Sequence, residues 1–202
     1  MAEHFHDRCA RLAADQPVET EPGDASLVGR CHGPTLDVGS ERGRLTVALA
    51  ERGIPALGID VTPLPIRIAR ASGAMAIIRD VFDRVPGTGR WQTVLVADGN
   101  IGIGGDPAAL LERIGDLLAP QGHALVEVHA PGAPPAGERE AETGAGPADD
   151  RSSWVRVGAD QIGDMARSAG LVLRETWTES GRWFAALGCE PVAGASEPVP
   201  VG

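Results

Sequence analysis

A chain of 202 residues with 43% hydrophobic residues is long enough to bury one full-sized core. Its net charge of −10 argues against a partner held through nucleic-acid phosphates, which needs a basic surface. No apolar run reaches the length of a membrane span, and Cys9, Cys31 and Cys189 show neither metal spacing nor a disulfide framework, which predicts a reducing, cytoplasmic setting.

Residues 1–33 precede the first predicted strand. The opening MAEHFHDRC carries acids and no apolar core, unlike a secretory signal. His4, Phe5, Cys9 and Leu12 recur at helical spacing, so a short helix is expected, followed by a Pro/Gly/Asp-rich connector over 16–24. Such a segment either packs on the sheet or covers a site, where His4 and His6 would face a substrate.

The centre of the chain is PTLDVGSERGRLTVALAERGIPALGIDVT. It predicts a strand over 35–38, a glycine turn over 39–43, a helix over 44–52 and a second strand over 56–61 that holds Asp60. A strand that runs into a glycine turn, opens a helix and returns to a strand with a terminal acid is a nucleotide-binding pattern. The glycines allow close backbone approach, the helix start offers unpaired N–H groups, and the acid accepts from ribose hydroxyls.

Beyond it, a helix is predicted over 63–72 with Pro63 in its first turn, then a strand over 74–79 that runs into Asp80, Val81 and Phe82. A turn at 86–89 leads to an apolar strand over 92–97, read as buried on both faces and ending in Asp98, Gly99 and Asn100. The glycine-rich stretch 99–105 reads as a loop. Asp106 then caps a helix that starts at Pro107 and presents Leu110, Leu111, Ile114, Leu117 and Leu118 on one face. A strand over 122–128 leaves His129 at its end.

Residues 130–153 change to Pro, Gly, Ala and acids, an insertion that acts either as a lid or as a solvated loop. A helix over 158–169 and strands over 171–177 and 182–187, joined through Glu179, Ser180 and Gly181, complete the domain. Trp91, Trp154, Trp177 and Trp183 are expected mostly in the core, with Trp154 the one placed to touch a substrate. The tail after residue 190 is expected to fray. The organisation is therefore an N-terminal segment 1–33, one domain over 34–190 and a tail over 191–202.

Five strands alternating with helices and then a hairpin, together with these motifs, resemble the class I S-adenosylmethionine-dependent methyltransferases, in particular a bacterial small-molecule subgroup. LDVGSERGRLTVALAERG followed by GID looks like that family's first motif and second-strand acid, and RDVF like its third-strand acid. VLVADGNIGIGGDP and LAPQGHALVEV resemble the fourth-strand motif and the fifth strand. The resemblance implies a doubly wound, mostly parallel seven-stranded sheet ending in an antiparallel hairpin, with S-adenosylmethionine as cofactor and a small molecule as methyl acceptor. It implies that Asp37, Gly39, Ser40 and Gly43 surround the methionine part and that Asp60 holds the ribose. It further implies that Asp80 and the Val81 N–H bind the adenine, that Phe82 packs on its face, and that Asp98 and Gly99 lie near the reactive methyl.

The family's middle glycine is Glu41 here. Its carboxylate either obstructs the cofactor or pairs with the cofactor's ammonium, and it would repel the diphosphate of a nicotinamide or flavin dinucleotide. Because a base is needed only when the acceptor must lose a proton, no fixed catalytic residue follows from the resemblance. The candidates are His129, whose ordinary pKa near 6.5 suits a base, and Asn100. Two other readings keep the fold: a repurposed enzyme that performs a rearrangement or hydrolysis, and a non-catalytic binding protein with an eroded cleft.

Overall fold

The computed structural model describes residues 19–132 and 155–189. The expected helix around His4 to Leu12, most of the insertion, Trp154 and the tail lie outside the described residues.

Within them the chain runs α1 (Asp24–Arg30), β1 (Thr35–Val38), α2 (Arg44–Glu51), β2 (Ala56–Asp60), α3 (Pro63–Ala71), β3 (Ala76–Ile78) and β4 (Trp91–Val96). A 3₁₀ turn at Asn100–Gly105, α4 (Pro107–Leu117), β5 (Leu118–Val128), α5 (Ile162–Ser168), β6 (Leu171–Glu179) and β7 (Arg182–Cys189) follow. The strands form one seven-stranded sheet in the order β3-β2-β1-β4-β5-β7-β6. Strands β1 to β5 are parallel, β7 runs antiparallel to β5, and β6 is antiparallel to β7. This is the expected doubly wound sheet with its terminal hairpin.

Every residue of β1 is buried, as a central parallel strand with helices on both faces requires. Leu36, Val38, Val94, Val96 and Val126 pack against Leu110, Leu111, Ile114 and Leu117 of α4. Leu95, Ala97 and Leu125 pack on the other face against Leu45 and Leu49 of α2, Leu27 and Val28 of α1, and Phe184 of β7. The chain winds outward from β1 to β3 on one side and resumes with β4 on the other. The crevice above the ends of β1 and β4 is thus a topological switch point, where doubly wound sheets bind ligands.

Several local readings differ from the sequence expectation. Helix α1 begins at the last residue of the expected connector and fills residues to which the sequence assigned no element. It is held by tertiary contacts: the Trp177 indole N–H donates to Ser26 Oγ at 3.1 Å, and the Arg30 guanidinium lies 4.1 Å from the Trp177 ring centroid. The stretch after β4 is not open loop but a 3₁₀ turn that breaks at Ile103 and Gly104. Strand β5 begins at Leu118 rather than 122, because Leu118 pairs with Trp91 before a bulge. At the opposite edge of the sheet His32 and His123 stack with ring centroids 4.4 Å apart. Among the described residues, no helix is long and apolar enough to cross a membrane.

Candidate functional site

The turn after β1 is built from three left-handed residues, Gly39 (φ 71°), Glu41 (φ 45°) and Gly43 (φ 79°). It is fastened on both sides. Towards β2, the Gly39 and Ser40 N–H groups donate to Ile59 O at 2.9 and 3.0 Å, and the Glu41 N–H donates to Asp60 Oδ2 at 3.1 Å. Towards β4, the Asn100 amide nitrogen donates to Val38 O at 3.1 Å and Gly39 O at 3.0 Å. Both partners are carbonyls, which only accept, so the nitrogen must face them. A Cβ at Gly39 would lie 2.4 Å from that nitrogen, so the position requires glycine for space as well as for φ.

Below the turn, Asp37 is buried and accepts from Thr46 Oγ1 at 2.7 Å. Gly58 in β2 makes the room: a Cβ there would come within 2.8 Å of both Ser40 Oγ and Thr46 Oγ1. Burial pushes the Asp37 carboxyl up to about 6 against the Thr46 hydrogen bond, and the charge of Asp98 adds to the rise.

A cavity of about 570 Å³ opens above the turn, and its wall includes Asp37, Gly39, Ser40, Glu41, Asp98 and Asn100, with Glu19, Glu21 and Arg44 around them. Of the residues singled out in the sequence, Asp37, Gly39, Ser40, Asp98 and Asn100 therefore meet at one cavity. Gly43, Asp60, Asp80, Val81, Phe82 and Gly99 are not in its wall but follow the strand ends of the same sheet edge. Asp60 Oδ1 also accepts the Thr62 N–H at 2.7 Å, so each of its oxygens holds one backbone donor and keeps a second lone pair. Asp80 Oδ1 accepts the Phe82 N–H at 2.9 Å, and Arg113 Nε donates to Val81 O at 2.9 Å. Val61 and Phe82 are exposed apolar side chains beside these two acids.

His129 directly follows β5 but is not part of the cavity wall. Its backbone bridges to the segment before α5, its N–H donating to Val157 O at 2.8 Å and its C=O accepting from Ala159 N at 2.9 Å. Burial holds its imidazole below the ordinary value, with Arg156 acting in the same direction and Glu127 opposing.

The sequence reading did not find the charges that brace the site. Asp24, 1% exposed, accepts from Arg44 Nη1 and, at 2.9 Å, from Arg182 Nη1. Arg44 Nη2 lies 2.6 Å from both oxygens of Asp98, and Arg182 Nη2 donates to Asp98 at 3.2 Å. Arg182 also grips Glu127 with two bonds of 2.9 and 2.7 Å, and Glu127 Oε2 accepts the Asp98 N–H at 2.6 Å. Burial raises Asp24, but the hydrogen bonds from Arg44 and Arg182 outweigh it and hold the carboxyl below its ordinary value. Asp24 of α1, Arg44 of α2, Glu127 of β5 and Arg182 of β7 thus brace Asp98, which lies after the end of β4 and is itself left-handed at φ 55°. One sequence signal existed: Arg44 opens a helix, where a cation opposes the helix dipole and so implies an acidic partner elsewhere.

No protein-family model and no curated protein matches this chain. Solved structures do resemble it. An S-adenosylmethionine-dependent methyltransferase from Bacteroides fragilis, crystallised with S-adenosyl-L-homocysteine, has a TM-score of 0.66 and 19% identity, over 85% of this chain and 78% of that one. A TehB-like S-adenosylmethionine-dependent methyltransferase from Corynebacterium glutamicum has a TM-score of 0.62 and 20% identity, over 94% of this chain and 97% of that one. A 1,6-didemethyltoxoflavin N1-methyltransferase from Burkholderia thailandensis, with 1,6-didemethyltoxoflavin and S-adenosylhomocysteine bound, has a TM-score of 0.61 and 16% identity, over 89% and 77%. At these identities the likeness is one of fold, and the fold is the one the sequence motifs led us to expect.

Proposed function

We propose that this chain is an S-adenosylmethionine-dependent methyltransferase acting on a small-molecule acceptor. One observation carries the reading: the glycine turn, the Asp60 and Asp80 carboxylates and the 570 Å³ cavity stand side by side along the strand ends of a methyltransferase-fold sheet. The residues suit the cofactor's chemistry. Asp60 keeps lone pairs for ribose hydroxyls, Asp80 and the Val81 N–H complement an adenine edge, and Val61 and Phe82 offer apolar surface to its ring. Asp37, Gly39, Ser40 and Gly43 would then hold the methionine part, and Asp98 and Gly99 would lie near the methyl. The acidic wall suits a cation and opposes a dinucleotide diphosphate. The neighbour from Burkholderia thailandensis supports a small acceptor, since it holds one.

When bound, the cofactor supplies an activated methyl group on a cationic sulfur. The chain's own part is to orient it and to prepare the acceptor. We assign Asn100 a positioning role, because its amide nitrogen is already spent in fastening the glycine turn. His129 is the proposed base on the acceptor side: its lowered pKa keeps the imidazole neutral at pH 7 and able to take a proton. Glu41 favours a second reading, in which the same fold performs a rearrangement or hydrolysis.

Titration calorimetry with S-adenosylmethionine tests the proposal, with micromolar binding expected. Asp60→Ala should weaken it at least about tenfold, the worth of a charge-assisted hydrogen bond. No binding by the unaltered protein refutes the proposal. Binding without any methylated product from a metabolite library favours the second reading.

A further inference from the structure

Glu41 pays a conformational cost that glycine would avoid, since it holds φ 45° in the turn over the cavity. Only its backbone serves the fold, through the N–H given to Asp60. Its carboxylate stands in the cavity wall and makes no hydrogen bond or ion pair among the described residues. The charges around it do not help. Asp98, Asp60 and Glu21 face it with like charge, and the guanidinium of Arg44, which faces it with opposite charge, is committed to Asp24 and Asp98. A second cation, Arg42, also lines the cavity. Burial, Asp98 and Asp60 together push the Glu41 carboxyl above its ordinary value, as crowding by acids without a dedicated partner should.

The two most buried acids of the wall are already employed. Asp37 holds Thr46, and Asp98 is bound by two arginines. Glu19 and Glu21 are exposed, as Glu41 is, but Glu21 lies 3.9 Å from Arg44 Nε and neither sits on the glycine turn. Glu41 is thus an exposed negative charge held at the cavity wall on a strained backbone and left for something that enters it.

Resting on the function proposed above, we infer that Glu41 is a cofactor-binding residue whose carboxylate accepts the α-ammonium of the cofactor's amino-acid arm. A backbone-only glycine turn reads that arm by shape, whereas this turn adds a charge to it. The consequence is specificity: ligands that carry the amino-acid arm gain from Glu41, and ligands that end at the thioether gain nothing.

Calorimetry on the full chain with three ligands decides the matter: S-adenosylmethionine, S-adenosylhomocysteine, and 5′-methylthioadenosine, which lacks the arm. Glu41→Gln keeps the side-chain length and removes the charge. It should weaken the first two about tenfold and leave the third unchanged. Glu41→Gly, which also relieves the backbone, should lose affinity for the same two ligands. Equal or tighter binding of S-adenosylmethionine by either variant overturns the inference and marks Glu41 as an obstruction. Loss across all three ligands overturns it in favour of a purely structural role, and loss confined to S-adenosylmethionine would place the pairing at the sulfonium instead. Each of those results leaves the proposed cofactor cleft standing. If the unaltered protein binds none of the three, the functional proposal fails and the inference with it.

Discussion

Substituting Gly39→Ala isolates the contact between the glycine turn and Asn100. The new Cβ would lie 2.4 Å from Nδ2, 2.5 Å from Cγ and 2.7 Å from Oδ1 of Asn100, all of them atoms beyond that residue's own Cβ. Two costs follow. Holding alanine at φ 71° costs about 1–2 kcal/mol. Forcing a methyl group into a packed wall costs about 1–3 kcal/mol more. Asn100→Ala alone removes two hydrogen bonds and leaves Val38 O and Gly39 O without that donor, at about 1–3 kcal/mol. In the double variant the three atoms nearest the new methyl are gone, so the overpacking cost should fall away while the backbone cost remains. The double variant should therefore be more stable than the sum of the single changes predicts, by about 1–3 kcal/mol. Urea denaturation of the four proteins measures this directly, with Gly39→Ala alone expected to lower Tm by on the order of 10 °C. Strict additivity would refute the reasoning, because it would mean that the alanine methyl and the Asn100 side chain never compete for space.

Asp37→Asn tests the buried acid. Its pKa is raised to about 6 from an ordinary 3.8, so the folded state holds the proton more tightly than the unfolded state does. The ionised carboxylate thus costs stability above pH 6, and the cost disappears as pH falls towards 4. Asparagine, whose oxygen can still accept from Thr46, should be the more stable by roughly 2–3 kcal/mol at pH 8 and should lose that advantage near pH 4. A pH-independent difference between the two proteins would contradict this. Asp24 has the opposite sign: its pKa is lowered, so its contribution is present above the unfolded value and fades as pH falls through the folded one. Asp24→Asn leaves Arg44 and Arg182 short of an anion and should cost about 3 kcal/mol at pH 7 in thermal or urea unfolding. A change under about 0.5 kcal/mol, as at an ordinary surface position, would show that the network does not depend on this acid.

The sequence made the central unit readable because each of its devices is local. The apolar run of β1, the glycine turn and Asp60 lie within a single stretch, and α2 ends within one residue of its predicted limit. The bracing charges were not readable for the converse reason. Asp24, Arg44, Glu127 and Arg182 come from four separate elements, and only the completed sheet brings them to Asp98, which the sequence did single out. Helix α1 escaped notice because it is short and owes its stability to Trp177 and Phe184, far along the chain. Likewise α5 begins at Ile162 and not at 158, since Gly158 is drawn into a bridge with His129. For His129 and Asn100 the sequence gives the strand end but not what each group faces. Both sit where the pattern puts them, yet the Asn100 amide nitrogen is turned to the main chain and His129 stands outside the cavity wall.

The position of β7 has a consequence for synthesis. It slots between β5 and β6, although it is the last of the described strands to leave the ribosome. Until it arrives, β5 has a bare edge, and Asp24 and Glu127 wait without the arginine that joins them. A nascent chain can therefore pair β1 with β2 and β4 early, but it cannot brace the candidate cleft until residue 182 has emerged. Translation is in this sense a clock for the site, and a pause upstream of β7 would hold the domain with its sheet half assembled and its cleft unlocked.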